Sequence, residues 1–378
     1  MTTRREFVKT GAAAGGALLA AGVPALSVAE WGDRRAADSA AAPLSILIFG
    51  GTGYIGPHLV RHAVSRGHRV TIFSRGRHDG DLPSSVERLI GDRTINDTIP
   101  QGNLRALEGR RFDAVIDDPA TDPRWVRQAA ELLKSSGQYM FVSSTGVYLP
   151  YRTENADETA PTPLMPEGGG PAQYGNQKAQ SEHVVLDVFG ERGTVVRPAY
   201  IVGPGDTSDR FPYWPQRLVR GGETLAPGRK SDRIAIVDVR DLVEFMVKLV
   251  EEKRGGIFNV CGPRESMGFG QFLTEAQAAL RTSAQFTWVD DYAFLRENRI
   301  GGAIPWVRLD GDNLYHTVLS NKKAVGAGLK FRPLATTVRD TLAWWPERVR
   351  LLEPGQQPRF WITPEREQQV LAAWKSRK

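Results

Sequence analysis

The stretch from Leu44 to Gly56, LSILIFGGTGYIG, restricts the fold more than any other part of this chain. Ile46 to Phe49 is an apolar run long enough for one buried strand, and it leads directly into glycines at 50, 53 and 56. The residues that follow, PHLVRHAVSRG, have the spacing of a helix. Strand, glycine turn and helix together form a cradle for a pyrophosphate. The first glycine allows the tight turn, and the second lets the backbone approach the phosphates. The third lets helix and strand pack closely, and the helix N-terminus offers free N–H groups. The motif therefore points to a dinucleotide site.

The rest of the chain supplies the fold that such a turn needs. Strands are predicted at His68 to Ser74, Val86 to Ile90, Phe112 to Ile116, Gln138 to Ser143 and Gly193 to Pro198, with a crossover helix over 123–136. Strands alternating with helices imply a parallel sheet with right-handed crossovers. The expected class is α/β: a Rossmann-type doubly wound parallel sheet with a smaller C-terminal substrate-binding α/β region. The dinucleotide-binding domain spans 44–200, and 234–260 returns to it. The substrate region is mainly 201–345, loosest over 207–232, and 346–378 is a helical tail. Thr336 to Trp345 reads as a helix ended by Pro346, and Thr363 caps a last helix beginning at Pro364. The tail has a packing role, with partner contact as the alternative.

Candidate site residues fall at the strand ends, where ligands of open α/β sheets bind. After the second strand, where an acid would bind the ribose 2′-OH of NAD, stands Arg75 with Arg77 close by. An arginine suits a 2′-phosphate, so NADP is preferred over NAD. Asp92, past the third strand, either bonds the adenine edge or caps the next turn. The fifth strand runs out into Ser144 and Thr145, and Tyr174 and Lys178 stand four apart on the helix after it. Residues four apart share a helix face, and an ammonium beside a phenol lowers its pKa. Tyr174 is then a general acid or base, with Ser144 holding the substrate oxygen. Thr145, Tyr148, Tyr200, Arg210, Trp214 and Arg233 are candidates to line the substrate pocket.

Composition narrows the alternatives. The 378 residues carry a net charge of +6, with no dense Lys/Arg run interleaved with aromatics, so no nucleic-acid partner is expected. The single cysteine, Cys261, excludes an internal disulfide and a cysteine-rich metal site. His58 and His62 are four apart, as helical metal ligands can be, but no Glu stands beside His58 as in HExxH, and no metal is expected. Residues 1–29 pair Arg4-Arg5 and Phe7 with an Ala/Gly-rich stretch ending Ser27-Val28-Ala29. This reads as a twin-arginine-type signal peptide followed by a linker over 30–43. The expectation is export by the twin-arginine machinery to a periplasmic or extracellular location. The alternative is a membrane anchor formed by the uncleaved N-terminus.

GGTGYIG, SSTGVY, YGNQK and RPAYIVGPGD, in this order, resemble an extended short-chain dehydrogenase/reductase of the NAD-dependent epimerase/dehydratase type. The resemblance covers roughly 44–345, with LSNKKAVGAGLKFRP like the end of those enzymes, and looks closest to an atypical subgroup with isoflavone-reductase-like and chloroplast stem-loop-binding relatives. It implies Ser144, Tyr174 and Lys178 as the catalytic trio. It implies Gly50, Thr52, Gly53, Tyr54, Ile55 and Gly56 as the cofactor turn, Lys178 on the nicotinamide ribose and Pro198 beside the nicotinamide. Two departures stand out. Asp117-Asp118-Pro119 occupies the place where many members have an Asn that completes a proton relay. The loop after Ser144 lacks the Asp-Glu pair of sugar-nucleotide dehydratases, which favours redox or epimerisation over dehydration. The expected activity is NAD(P)-dependent oxidoreduction or epimerisation at a hydroxyl or carbonyl carbon of a small, sugar-like substrate. The alternatives are net NADPH-dependent reduction, and a non-catalytic or RNA-binding protein on the same fold. A homodimer is left open.

Overall fold

The computed structural model describes residues 42–77, 81–95, 102–162 and 171–377. The predicted signal over 1–29 and nearly all of the linker lie outside the described residues. Residues 42–378 form one compact unit.

The first half alternates strand and helix as expected, except that the described residues form no α-helix between its second, third and fourth strands. Strand β1 (Ser45–Phe49) is followed by α1 (Ile55–Ser65), β2 (Arg69–Ser74), β3 (Glu87–Ile90), β4 (Ala114–Asp117), α2 (Pro123–Leu132), β5 (Gln138–Val142), α3 (Pro171–Phe189) and β6 (Gly193–Pro198). Next come β7 (Tyr200–Val202), α4 (Tyr213–Arg220), β8 (Glu223–Pro227), β9 (Ile236–Asp238), α5 (Val239–Glu251) and β10 (Gly256–Val260). The last part holds α6 (Phe269–Leu280), β11 (Gln285–Val289), α7 (Tyr292–Glu297), β12 (Gly302–Ala303), β13 (Trp306–Val307), α8 (Lys322–Gly326), α9 (Leu334–Arg350) and α10 (Pro364–Lys375).

Seven strands form one sheet in the order β10-β6-β5-β4-β1-β2-β3, every pair parallel. The order reverses beside β1, which places the glycine turn at the switch point where α/β sheets bind ligands. The alternation of side chains explains why the β1 run is apolar throughout. Ile46 and Ile48 face a core completed by Leu59, Val60 and Ala63 of α1 and by Leu242, Val243 and Met246 of α5. Leu47 and Phe49 face the opposite core with Val126 and Ala129 of α2 and Val184 and Val185 of α3. A strand buried on both faces has no polar side to show.

The C-terminal lobe has an aromatic core around Trp214, Phe211, Phe269, Phe272 and Trp306. Its loosest predicted stretch, 207–232, is in fact ordered as α4 and β8, and β8 pairs in parallel with β11. Two helix expectations are corrected. Helix α1 begins at Ile55 and so includes Gly56. Helix α9 does not end before Pro346 but runs through it to Arg350. An interior proline removes one N–H from the ladder and crowds the carbonyl four residues back, but the turn beyond it is fastened independently. Arg348 grips the buried Asp209 through two hydrogen bonds of 2.7 and 2.9 Å, and Trp345 stacks on Phe360 at 5.4 Å. The tail packs: Thr363 caps α10, and Glu367 takes hydrogen bonds from Arg217, Arg220 and the Leu225 N–H.

Candidate active site

The turn after β1 is shaped for an anion. Gly50 sits at φ +85°, a left-handed conformation that favours glycine, and the Gly53 N–H bonds the Gly50 carbonyl at 3.2 Å. A β-carbon on Gly56 would stand 2.2 Å from the Gly50 oxygen, so only glycine lets α1 close on the turn. No side chain caps the first turn of α1 and no acid stands in it. Its N–H groups are therefore left for a ligand. Gly53 is exposed, and a β-carbon there would meet nothing nearer than 3.8 Å. The chain itself leaves that space open, which fits a diphosphate lying against the backbone.

Tyr54 and His58 do not face this space as free groups. The Tyr54 hydroxyl reaches the Gly203 carbonyl at 3.5 Å, and His58 Nε2 lies 2.9 Å from the Pro204 carbonyl. Burial pushes the His58 pKa down to about 4, so the ring is neutral and donates. The pair ties the cofactor turn to the loop after β7. Among the described residues, no group of three His, Cys, Asp or Glu side chains could hold a metal.

At the adenosine end, Arg75 and Arg77 are exposed beyond β2. Asp92 accepts from Thr94 through the backbone N–H at 3.0 Å and the hydroxyl at 2.6 Å, so it caps that turn. Burial opposes its charge, but those bonds and the nearby Arg75 and Arg77 hold its carboxyl below the usual range.

The reactive end lies beyond β5. Ser144 is the N-cap of a single helical turn over Thr145–Tyr148, its Oγ accepting from the Gly146 N–H at 3.0 Å. Helix α3 crosses directly over that turn, because a β-carbon on Gly175 would stand 2.4 Å from the Gly146 oxygen. The close crossing brings Tyr174 within hydrogen-bond reach of Ser144. Lys178 is buried; its Nζ donates to the Val142 carbonyl at 2.7 Å and lies 5.8 Å from the centre of the Tyr174 ring. Burial brings its pKa down to about 8 against the opposing charges of Asp118 and Asp117. One expectation is reversed here. The Tyr174 pKa is raised, not lowered: burial dominates over the Ser144 bond, and Asp118 adds to it. One of the three Lys178 N–H groups is held by the Val142 carbonyl, and the ammonium lies 5.8 Å from the centre of the phenol ring. Pro198 is buried at the end of β6 and pairs with Val260 of β10.

The family model for the NAD dependent epimerase/dehydratase family matches residues 46–261. The chain belongs to that family. Membership makes it an NAD-dependent enzyme of the epimerase/dehydratase type. It is 28% identical over 242 residues to the chloroplast stem-loop binding protein of 41 kDa b of Arabidopsis thaliana, a match covering 60% of this chain and 61% of that protein. It is 29% identical over 252 residues to sterol demethylase protein B of Methylococcus capsulatus, covering 61% of this chain and 73% of that protein. Among solved structures, the Bordetella bronchiseptica enzyme WbmH in complex with NAD+ superposes with a TM-score of 0.57 at 17% identity, over 80% of this chain and 98% of that one. A UDP-N-acetylglucosamine 4-epimerase from Bacillus cereus superposes with a TM-score of 0.56 at 14% identity, over 79% and 98% respectively. At these identities the structures establish the fold.

Beside Tyr174 the chain builds an aromatic wall. Thr145 is buried and its hydroxyl bonds Tyr151. The Tyr151 ring lies 4.5 Å from the His316 ring, Tyr200 meets His316 edge-on at 5.2 Å, and Arg210 stands 5.8 Å from the Tyr200 ring. Arg210 and Tyr174 are close enough for the guanidinium to act on the phenol. Thr145, Tyr200 and Arg210 are therefore brought together with Tyr174. Three other candidates are not. The Tyr148 hydroxyl donates to Asn259 at 2.9 Å and accepts from Arg197 at 2.6 Å, inside a buried network that includes Glu182 and Ser143. Trp214 is fully buried in the C-terminal core, bonded to the Ala303 carbonyl. Arg233 is exposed, on a backbone bridge to Gly268.

Sequence reasoning missed Tyr151, His316 and the placement of Asp118. Tyr151 lies in a proline-rich loop with no periodicity, and His316 looked like one scattered histidine. Burial pushes His316 down to about 4, and among the described residues its Nδ1 has no hydrogen-bond partner.

Proposed function

We propose that the chain is an NAD(P)-dependent oxidoreductase or epimerase acting on a secondary hydroxyl or carbonyl carbon of a sugar-like substrate. The observation that carries this reading is the Tyr174–Ser144 hydroxyl pair, held above a buried Lys178 at the strand end next to the glycine turn. Gly50, Gly53, Gly56 and the open N-terminus of α1 would hold the diphosphate, and Lys178 the nicotinamide ribose. When bound, the nicotinamide supplies the hydride acceptor and donor. Tyr174 Oη takes the proton from the substrate hydroxyl as it becomes a carbonyl, and Ser144 Oγ donates to that oxygen. On the return step Tyr174 gives the proton back. Displacing water from the half-exposed phenol would by itself oppose phenolate, so the charge falls to Lys178, whose ammonium keeps two N–H groups beyond the one on Val142 and would stabilise phenolate when turned toward it.

Arg75 and Arg77 support a 2′-phosphate and hence NADP. The twin-arginine-like N-terminus supports export of a folded, cofactor-loaded protein. Outside the cytoplasm a tightly held dinucleotide that is reduced and reoxidised on one substrate needs no external recycling, which favours epimerisation over net reduction. Arg210 on Tyr200 supports an anionic group on the substrate, as in the UDP-sugars named for several structural neighbours. The similarity to a stem-loop binding protein supports a second reading, RNA binding on the same fold.

The test is to incubate the purified protein with UDP-glucose, UDP-N-acetylglucosamine and UDP-glucuronate, with NAD+ or NADP+ added. Products are resolved by NMR. The proposal expects inversion or oxidation at one carbon, reduced about 10²–10⁴-fold in Tyr174→Phe. Salt-sensitive RNA binding, with no turnover of these or other hydroxyl substrates, favours the second reading.

A further inference from the structure

Two carboxylates follow one another at the end of β4, and their surroundings differ. Asp117 is fully buried and balanced: Arg93 donates to it at 2.7 and 2.6 Å, and the Tyr139 hydroxyl adds a third bond at 2.7 Å. Among the described residues no group donates a hydrogen bond to Asp118. Its position is set by register. Asp117 pairs with Phe49 of β1 on one side and with Phe141 of β5 on the other. Asp118 is therefore level with Gly50 and with Val142, and the Val142 carbonyl is the one that holds Lys178. Its Oδ2 lies 3.4 Å from where a β-carbon on Gly50 would stand. Asp118 thus sits between the glycine turn and Lys178.

The charged and titratable groups around it are few. Helix α3 contributes Lys178 and Tyr174, the segment after β3 contributes Arg93, and its own strand contributes Asp117. The glycine turn faces it with Gly50, which does not titrate. Burial raises the Asp118 carboxyl to about 7; Lys178 and Arg93 oppose this, and Asp117 adds to it. A diphosphate in the turn adds negative charge beside a carboxylate whose nearest arginine is already committed to Asp117. Like charges confined together favour protonation of one of them.

We propose that Asp118 belongs to the cofactor site and takes up one proton from solvent as the dinucleotide binds, presenting a neutral carboxylic acid to the ligand. This rests on the cofactor reading above. A protonated carboxyl can donate to a ribose or phosphate oxygen, whereas the carboxylate would repel it. The departure from Asn then keeps the donor but makes it depend on pH.

The test is calorimetric titration of the full chain, first freed of any bound nucleotide, with NAD+, whose diphosphate stays ionised across the range used. Titrations are run in buffers of different ionisation enthalpy, and no substrate is needed. Lys178 also titrates nearby, so Lys178→Arg, with a fixed charge, is compared with Lys178→Arg/Asp118→Asn. The proposal expects net proton uptake at neutral pH in the wild type and in Lys178→Arg. It expects affinity in both to fall by up to about tenfold per pH unit above 7. In the double variant uptake disappears and the affinity is flat with pH. PH-independent binding without proton uptake in the wild type overturns the proposal while leaving the cofactor reading intact. Equal uptake in the two variants does the same. No binding of either NAD+ or NADP+ at any pH overturns both.

Discussion

The glycine turn and the aromatic wall, proposed above as cofactor and substrate sides, are built by opposite means. The turn is local and made of backbone: three glycines, an uncapped helix start and strand ends within a few residues of one another. The wall is assembled from Thr145, Tyr151, Tyr200 and His316, which meet only because the C-terminal lobe is held in place. That lobe is fastened by contacts that are remote in sequence, such as Arg217 with Glu367 and Arg348 with Asp209. The difference teaches that cofactor binding and substrate binding should fail separately. Damage to the turn removes the ligand; damage to the remote pairs loosens the lobe and leaves the turn standing.

The largest effect is expected at a remote pair. Arg348→Ala leaves the buried carboxylate of Asp209 without its guanidinium and should cost about 3–5 kcal/mol of stability. Chemical denaturation should then show an early transition in the C-terminal lobe, with NAD+ affinity kept below it. Loss of NAD+ binding in step with that transition would show that the two sides are not separable. Gly56→Ala, by contrast, drives a methyl group into the Gly50 carbonyl and should cost about 3 kcal/mol together with all dinucleotide binding.

A smaller effect reports on the wall. The fold keeps His316 neutral, with a pKa of about 4, while the unfolded chain protonates it near 6.5. The unfolded state therefore binds more protons between these values, and stability is lost as pH falls from 6.5 towards 4, by up to about 1.4 kcal/mol per unit. His316→Phe removes that contribution, so melts of variant and wild type at pH 7 and pH 5 should differ in slope by up to about 2 kcal/mol. His58, which shifts the same way, remains in both proteins. Equal slopes would mean that His316 is not held neutral.

The smallest change in stability is expected at Gly53. Its added β-carbon meets no protein atom closer than 3.8 Å, so Gly53→Ala should melt within about 0.5 kcal/mol of the wild type. Dinucleotide affinity should nevertheless fall at least about tenfold, because the open space is where the diphosphate approaches the backbone. Unchanged affinity would show that the ligand lies elsewhere.

What was legible in the sequence follows the same division. The sheet, the turn and the Ser144–Tyr174–Lys178 set could be read because each depends on short spacings: a buried run before glycines, and a tyrosine and lysine one helical turn apart. The ordered α4 and β8 were not legible, because their burial depends on Trp214, Phe269 and Trp306 meeting from distant segments. Tyr148 was misread for the same reason. Its spacing from Ser144 suits a pocket, but Arg197 and Asn259 draw its hydroxyl into the interior. The raised pKa of Tyr174 was also hidden, since helical spacing puts Lys178 beside the phenol but does not show that Val142 already holds it.

The central claim is that this turn holds a dinucleotide for the chemistry of Tyr174. The most direct measurement is acid denaturation of the purified protein, followed by mass spectrometry and quantification of the released nucleotide. NADP, oxidised or reduced, is expected at close to one per chain and retained through dialysis. NAD in its place would contradict the role given to Arg75, and no nucleotide, together with no binding of added NAD+ or NADP+, would contradict the site itself.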